Sequence, residues 1–276
     1  MVDVIPIKTG AEQALVSAYE GARAALPGQG AVAALREEAF KRFDAKGLPH
    51  RRVEEWKYTD LRALMRDALP LAAAPDAAGN ARAKEAGKVF ASLDCRRLVF
   101  VDGALVPELS DLTAEPGLTI GSMANALATG DALVAAHVGK VFETDDAAVA
   151  LNTALMGDGA VIHVDAGTAL KRPIHLVFAS SETPSSSFIR SLVVVEKGAQ
   201  AIIAESHESN DSQVNSTLEL VIGDEAQVDY FKATQTRGLH VASLLLNVGA
   251  KAQFNTFALN SDASLVRNQS FVRFAD

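Results

Sequence analysis

The second half of the chain repeats one unit: an apolar run, a short turn, the dipeptide Ala-Gln and a second apolar run. The Ala-Gln pairs begin at Ala199, Ala226 and Ala252, so the steps are 27 and 26 residues. A fixed step of roughly 20–50 residues is typical of solenoid proteins, in which each coil buries its apolar face against neighbouring coils. The constant step favours a parallel β-helix over the alternative, a sandwich of hairpins. It predicts a scaffold with long flat faces rather than a pocket enzyme.

The first part of the chain has a helical composition instead. It is rich in Ala, Leu, Glu, Arg and Lys, which are strong helix formers. From Ala160 onward, short β-branched apolar runs alternate with Gly, Asp, Asn and Ser, which is the pattern of strands and turns. The elements predicted before Ala160 are helices over 11–26, 31–46, about 60–68 with Thr59 as its cap, 81–92, 122–133 and 147–156, a linker over 70–80, and a hairpin over 98–106.

The net charge of -8 is unevenly distributed. Residues 1–100 contain 16 basic and 13 acidic side chains, whereas residues 101–276 contain 10 basic and 21 acidic ones. An acidic repeat region repels the phosphate backbone of nucleic acids. We therefore expect no nucleic-acid partner, while a protein with a basic face remains compatible with the charge.

Three further features bear on the compartment. The single cysteine, Cys95, excludes a disulfide within the chain. No window reaches the roughly 18 consecutive apolar residues of a membrane span. The first residues do not combine a basic segment with a long apolar stretch, so we expect no signal peptide. The expected location is the cytoplasm.

Several stretches together resemble one known family. They are Glu54–Leu61, which contains Trp-Lys-Tyr-Thr, then Arg97–Gly103, Leu151–Ala154, Asp158–Val164, Pro173–Leu176 and Leu265–Asn268. In this order they are similar to the SufB/SufD family of iron–sulfur assembly scaffolds, and to its SufD branch more than to its SufB branch. The resemblance extends over residues 35–276.

The resemblance implies a fold and a role. The fold is mainly β, a right-handed parallel β-helix preceded by a small N-terminal α-helical domain. The role is that of a non-catalytic scaffold that, with a SufB-like subunit and a SufC-like ATPase, builds nascent clusters and transfers them. An iron–sulfur cluster or a flavin is then expected only in the whole complex, with none bound by this chain alone.

The domain division predicted on this basis has three parts. Residues 1–92 form the helical domain with the Trp-Lys-Tyr-Thr motif, residues 93–156 a hairpin and helical lead-in, and residues 157–276 the β-helix core. Family members continue into a C-terminal helical segment that docks the ATPase, whereas this chain ends at Asp276 in strand-like sequence. We therefore expect a fragment or a truncated scaffold, and ATPase docking cannot be assigned to any residue here.

Two alternatives to a working scaffold are compatible with the sequence. A β-helix enzyme acting on polysaccharide would share the stacked coils. Such enzymes usually need acidic clusters, basic residues or calcium on one face, together with export from the cell, and the repeat has few basic residues. The other alternative is a truncated remnant that folds but does not engage the ATPase.

No catalytic, cofactor-binding or metal-binding residue is predicted. There is no P-loop, nucleophile elbow or zinc-type spacing of Cys and His. Cys95 alone cannot supply the four thiolates of a common cluster, so it is expected to be a small apolar residue at the start of a strand. Trp56 is expected to hold its loop on the helical domain rather than to contact a partner.

The histidines are the remaining candidates for a site. Strand alternation predicts that His163 and Asp165 share an outer or edge face, and that Glu205 and His207 share a face. Such pairs could bind a metal, but solvated surface residues are the more common explanation. Another two histidines adjoin apolar runs and are expected to pack or to form hydrogen bonds: His175 and His240.

Overall fold

A computed structural model describes residues 8–275. Within this range, no helix is long and apolar enough to span a membrane. The α-helices are α1 (Gly10–Ala22), α2 (Ala31–Lys46), α3 (Leu61–Leu64), α4 (Ala77–Glu85), α5 (Met123–Thr129), α6 (Ala132–His137) and α7 (Ala147–Leu155). Short 3₁₀ turns are formed by Glu54–Trp56, Lys88–Phe90 and Pro107–Leu109.

The strands form two six-stranded sheets. The first sheet has the order β11-β9-β7-β5-β1-β2 and the second β12-β10-β8-β6-β4-β3. The strands are β1 (Arg96–Val101), β2 (Ala104–Leu105), β3 (Leu118–Ser122), β4 (Ala160–Val164), β5 (Ile174–Ala179), β6 (Ser186–Val195), β7 (Gln200–Ser209), β8 (Gln213–Ile222), β9 (Gln227–Thr236), β10 (Leu239–Val248), β11 (Gln253–Ser261) and β12 (Leu265–Phe274).

From β4 onward, successive strands alternate between the two sheets, and each pairs in parallel with the strand two places away. The chain therefore winds as a parallel β-solenoid of about four turns. Gln200, Gln227 and Gln253 are register partners, so one Ala-Gln step corresponds to one turn. The parallel β-helix predicted from the repeat is confirmed, and the sandwich of hairpins is wrong.

The turns that follow β6, β8 and β10 share one backbone geometry. Gly198, Glu225 and Lys251 occupy the same position and all have positive φ, at 67°, 62° and 58°. Gly223 begins the second of these turns, and a Cβ there would lie 2.6 Å from the backbone nitrogen of Lys197 in the turn below. Only glycine permits this stacking distance, since no side chain can occupy that space.

The core lies between the two sheets, in a space that we call the lumen. Its inward side chains are mostly aliphatic and include Leu176, Val193, Leu220 and Leu246, each at most 1% exposed. Alternate residues of a strand point to opposite sides of a sheet. The remaining side chains of each strand therefore point outward and need either solvent or a covering element.

Helices cover the outer side of the second sheet, which we call the covered face. Helix α7 packs on β6 and β8, and α2 packs on α7. Two apolar clusters fill the junction, one around Phe43 and Leu151 and the other around Met123 and Leu192. Burial against the solenoid, rather than helix propensity alone, thus stabilises these short helices.

The local predictions before Ala160 have mixed outcomes. Helices 31–46 and 147–156 and the β1–β2 hairpin are confirmed. The cap at Thr59 is wrong, because Asp60 accepts the hydrogen bond from the Ala63 amide and the helix ends at Leu64. The linker over 70–80 is wrong in its second half, where Asp76 caps α4. The helix over 122–133 is divided in two at Gly130, whose left-handed conformation ends α5.

Candidate functional site

Two of the distant stretches that resemble a known family meet in the structure. The guanidinium of Arg267, on β12, lies 3.9 Å from the ring centroid of Trp56. It also donates hydrogen bonds to the Glu55 carbonyl oxygen at 2.7 Å and to Thr59 Oγ1 at 3.4 Å. Trp56 is 1% exposed, so the predicted structural role is confirmed.

Asp146 joins the same contact to α7. Its Oδ2 accepts the Trp56 indole N–H at 2.7 Å. Its Oδ1 caps α7 by accepting the amides of Ala148 and Val149, and also accepts the Gln269 side-chain amide at 3.2 Å. One carboxylate therefore holds a loop, a helix N-terminus and strand β12 together.

A fully buried ion pair lies beneath α7 on the covered face. Arg190, 0% exposed, donates to Glu219 Oε1 from Nε at 2.8 Å and from Nη2 at 2.6 Å. It also donates to Asn152 Oδ1 and Thr153 Oγ1. Both carboxylate oxygens of Glu219 accept the Gly139 amide at 3.0 Å. The hydrogen-bonding groups of the pair are thus largely satisfied, as a buried charge pair requires.

Asn152 extends this network to the strands. Its Nδ2 donates to the carbonyl oxygens of Ile189 and Asn215 at 2.9 Å. The family-like stretch around Asn152 therefore fastens α7 to β6 and β8. We did not predict roles for Arg190 and Glu219 from the sequence. The available signal was a charged residue inside an otherwise apolar strand run.

A second polar cluster lies inside the lumen. The Tyr230 hydroxyl donates to Glu205 Oε2 at 2.7 Å, and Lys232 Nζ lies 3.5 Å from the same oxygen. His207 Nε2 is 3.4 Å from Glu205 Oε2. Glu205 and His207 share a face as predicted, but they are 4% and 3% exposed. The expectation that they are solvated surface residues is wrong, because this face of β7 points into the lumen.

Burial and charge act together on the pKa values of this cluster. Burial raises the pKa of Glu205, but the Lys232 charge and the hydrogen bonds from His207 and Tyr230 outweigh it, so the net shift is downward. Burial lowers the pKa of Lys232 and lowers that of His207 to about 4. At neutral pH the cluster therefore holds a carboxylate beside a neutral imidazole.

The other two buried histidines form hydrogen bonds, as predicted. His175 Nε2 is 2.8 Å from Ser206 Oγ, and His240 Nε2 is 2.9 Å from Ser216 Oγ. The His240 ring also packs edge-on against His207, with centroids 4.6 Å apart. Within residues 8–275, His240 Nδ1 has no hydrogen-bond partner. Burial lowers the pKa of His240 well below its ordinary value.

A cavity of about 70 Å³ adjoins the lumen cluster. Glu205, His207, Tyr230 and Lys232 line it on the side of the first sheet. The lining residues from β11 and β12 are small or polar: Thr256, Ala258, Asn268, Gln269 and Ser270. The lumen thus changes from aliphatic to polar near these strands, and the polar end is where bound water would find partners.

The outer histidine behaves differently. His163 lies on the outer side of β4, as predicted, with Nε2 3.1 Å from Glu196 Oε1 and Nδ1 3.5 Å from Asp165 Oδ1. Asp165 and Glu196 are about half exposed to solvent, with side-chain exposures of 60% and 46%. Among the described residues, no group of three or more His, Cys, Asp or Glu side chains is arranged to hold a metal ion.

Cys95 immediately precedes β1 and is a buried free thiol. Burial raises its pKa, while the nearby Arg172 charge acts in the opposite direction. Arg172 is engaged elsewhere, donating to the Cys95 carbonyl oxygen at 2.9 Å and to Asp111 Oδ2 at 2.8 Å. A protonated, buried thiol is a poor nucleophile and a poor metal ligand.

Comparison with known proteins agrees with this architecture. A family model described as the SufBD protein N-terminal region matches residues 9–176. A second, described as SUF system FeS cluster assembly, SufBD core domain, matches residues 177–276. The chain belongs to the SufB/SufD family. The resemblance found in the sequence is confirmed, and the core-domain match extends from the second half of β5 to β12.

Two curated relatives support this membership. The chain is 32% identical over 273 residues to the iron–sulfur cluster assembly SufBD family protein slr0076 of Synechocystis sp., covering 93% of this chain and 58% of the relative. It is 39% identical over 74 residues to the iron–sulfur cluster assembly protein SufD of Escherichia coli K12, covering 27% of this chain and 16% of the relative. The chain thus spans little more than half the length of the Synechocystis relative, with which it shares the longer alignment.

Proposed function

We propose that this SufB/SufD family protein is a non-catalytic, SufD-like scaffold subunit in the cytoplasm. It pairs with a SufB-like subunit and an ATPase, and the complex builds and transfers nascent iron–sulfur clusters. The ligands of the cluster come mainly from the partner. The solenoid contributes a rigid platform whose flat faces and strand edges position that partner.

The state of Cys95 is the observation that supports this proposal most. It is the only cysteine of the sequence, it is buried, and burial raises the pKa of its thiol. Common clusters need about four thiolate ligands. One protonated, buried thiol does not supply these ligands, which supports a ligand set that comes mainly from the partner.

The test compares the chain alone with the chain co-expressed with SufB-like and SufC-like proteins. Both samples are purified anaerobically with iron and sulfide. Molar mass is measured by light scattering, and iron and acid-labile sulfide are counted per complex. We expect no stoichiometric cluster on the chain alone, and a cluster in a complex that contains all three proteins.

Cys95→Ala is the matched variant. It should leave both the complex and its iron content unchanged. A stable cluster on the isolated chain that is lost in Cys95→Ala would contradict the proposal. Association with the SufB-like protein without the ATPase would instead support a scaffold that does not engage the ATPase, and cleavage of a glycan would support the polysaccharide enzyme.

A further inference from the structure

The outer side of β9 and β11 and of the first part of β7 around Ile202, which we call the bare face, is exposed although its side chains are partly apolar. Strand β9 alternates strictly: its inward residues are buried, and its outward residues are exposed or half-buried. Four large apolar side chains on the bare face are exposed by 37–59%, namely Ile202, Phe231, Phe257 and Leu259. A contiguous exposed apolar area of this kind is typical of a protein interaction site.

The register of the strands orders these side chains into rows. Phe231 and Phe257 are direct register partners, so they occupy the same row of the sheet on strands whose backbones are about 4.8 Å apart. Asp229 and Asn255 are also register partners, and the Asn255 side-chain amide donates to Asp229 Oδ1 at 2.9 Å. An aromatic row thus lies beside a polar row.

The rest of the same sheet shows what covers such a surface in this molecule. Helix α4 and the Lys88–Phe90 turn lie over the outer side of β1 and β5, where Ala83 and Val177 share an apolar cluster. This covering segment reaches β7, where the Gly87 amide donates to Glu208 Oε1 at 2.6 Å. Val89 of this turn also lines a pocket with Ala233 of β9 and Leu259 of β11. Nearer the other end of these strands, Phe231 and Phe257 remain exposed.

The charge of the bare face has one sign. The outward side chains of β7, β9 and β11 include two carboxylates, Glu208 and Asp229, and no Lys or Arg within these described strands. Glu208 is engaged by Gly87, whereas Asp229 accepts from a neutral amide and forms no salt bridge with any residue between 8 and 275. A partner with basic side chains beside an apolar stripe is complementary to this arrangement.

The backbone of β9 excludes addition of a strand along its outer side. The N–H and C=O groups of β9 are used in the parallel ladders to β7 and β11. The face is about 10–14 Å wide and about 30 Å long, which matches the roughly 10 Å diameter of one helix. A helix laid along the strands would cover both phenylalanine rings and Leu259 together.

From these observations, we propose that the bare face docks an amphipathic helix of a partner protein, with its apolar stripe on Phe231 and Phe257 and its Lys or Arg residues beside Asp229. The inference goes beyond the scaffold role and does not depend on it. It assigns this surface a partner of defined chemistry: apolar on one stripe and basic along its flank.

The test uses synthetic helical peptides and the full chain. One 18-residue peptide carries a Leu stripe flanked by Lys, and a second carries Glu in place of Lys. Binding is measured by fluorescence anisotropy at two salt concentrations. We expect the Lys peptide to bind and the Glu peptide to bind at least tenfold more weakly.

Variants locate the binding on the bare face. The double variant Phe231→Ser/Phe257→Ser should bind the Lys peptide at least tenfold more weakly. Asp229→Asn should bind it several-fold more weakly, and the salt dependence of binding should be smaller. Val53→Ser, which removes another exposed apolar side chain, is the matched control and should have no effect. Circular dichroism confirms that each variant is folded.

Three results would overturn the proposal. The first is equal binding by the Phe231→Ser/Phe257→Ser protein, which would show a non-specific attraction to an acidic chain. The second is a loss of binding in Val53→Ser of the same size. The third is a concentration-dependent dimer that dissociates in the phenylalanine variant, which would make a second copy of this chain the occupant.

Discussion

The covered face and the bare face belong to the same solenoid, yet the covered face buries charged side chains whereas the bare face exposes apolar ones. On the covered face a charged pair, Arg190 and Glu219, is buried with its hydrogen bonds made. On the bare face Phe231 and Phe257 are exposed to solvent. The polarity of a strand residue therefore does not reveal whether its face is covered. The covering elements decide, and among residues 8–275 helices pack on only one of these two faces.

The strongest test of this contrast removes one charge from the covered face. In Arg190→Met, Glu219 stays buried without its cation, so we expect the free energy of unfolding to fall by about 3–5 kcal/mol. Urea denaturation followed by circular dichroism measures the change. Arg273→Met, which removes an exposed arginine from β12, is the control. Equal losses in the two variants would show that burial of the pair contributes little.

The next test concerns the contact between the helical region and β12. Trp56→Phe replaces the indole by a smaller aromatic ring and removes the N–H that donates to Asp146, a charged acceptor. We expect a loss of about 1.5–3 kcal/mol and faster hydrogen exchange in residues 54–61. Tyr58→Phe is the matched control in the same motif, since Tyr58 is 91% exposed. A loss in Tyr58→Phe as large as in Trp56→Phe would contradict the role given to the indole.

The pH dependence of stability tests the part of the first sheet that α4 and the Lys88–Phe90 turn cover, where His175 lies. Burial of His175, with Arg97 acting in the same direction, lowers its pKa to about 4. Between about pH 4 and 6.5 the unfolded chain thus binds a proton that the folded chain does not, so stability is lost as the pH falls through this window. His175 accounts for a decrease of about 2 kcal/mol in the free energy of unfolding between pH 8 and pH 5.

His175→Gln should reduce this pH dependence, measured as the change in the free energy of unfolding between the two pH values. The buried His207 and His240 act in the same direction, so part of the dependence remains. His137→Gln, at the end of α6, is the control and should leave the dependence unchanged. An unaltered difference between pH 8 and pH 5 in His175→Gln would rule out this explanation.

A smaller effect is expected at the turns, which belong to neither face. Lys251 has a φ of 58° where the equivalent residue of an earlier turn is Gly198. Lys251→Gly should raise the free energy of unfolding by about 0.5–1 kcal/mol because it relieves a left-handed backbone, and Gly198→Ala should lower it by a similar amount. Thermal unfolding compares the two variants. Changes of the same sign would refute the shared turn geometry.

The smallest effect is expected on the bare face itself. Phe257→Ser should change the free energy of unfolding by no more than about 0.5 kcal/mol, because the ring makes few contacts in the free chain. Leu192→Ser on the covered face is the matched substitution and should cost several times more, since Leu192 is 0% exposed. Similar losses at both sites would abolish the distinction between the faces.

The sequence predicted the solenoid because its signal is local and periodic. In the structure, the Ala-Gln steps correspond to the strand register that pairs Gln200 with Gln227 and Gln227 with Gln253. The helices over 31–46 and 147–156 were also predictable. Gly47 is a residue type that ends helices, and Asp146 is one that begins them. Thr59 was misassigned because two neighbouring residues can both cap a helix, and only backbone geometry selects Asp60.

The lumen cluster was not predictable in the same way. Alternation placed Glu205 and His207 on one face of β7, but it carries no information about which face points inward. Lys232 and Tyr230, one turn further on, supply the charge and the hydrogen bond that make burial of Glu205 tolerable. Those partners come from another coil, and they meet Glu205 only when the coils stack.

Periodicity, turn chemistry and family-like stretches by themselves determined that the chain coils in parallel, turn by turn, and which family it resembles. Only the tertiary structure decided which sides of the strands are buried, that Trp56 contacts Arg267, and that one outer face is covered while another is bare. The physical reason is that strand pairing depends on residues one coil apart at a regular spacing, whereas burial depends on what packs against a face from distant parts of the chain.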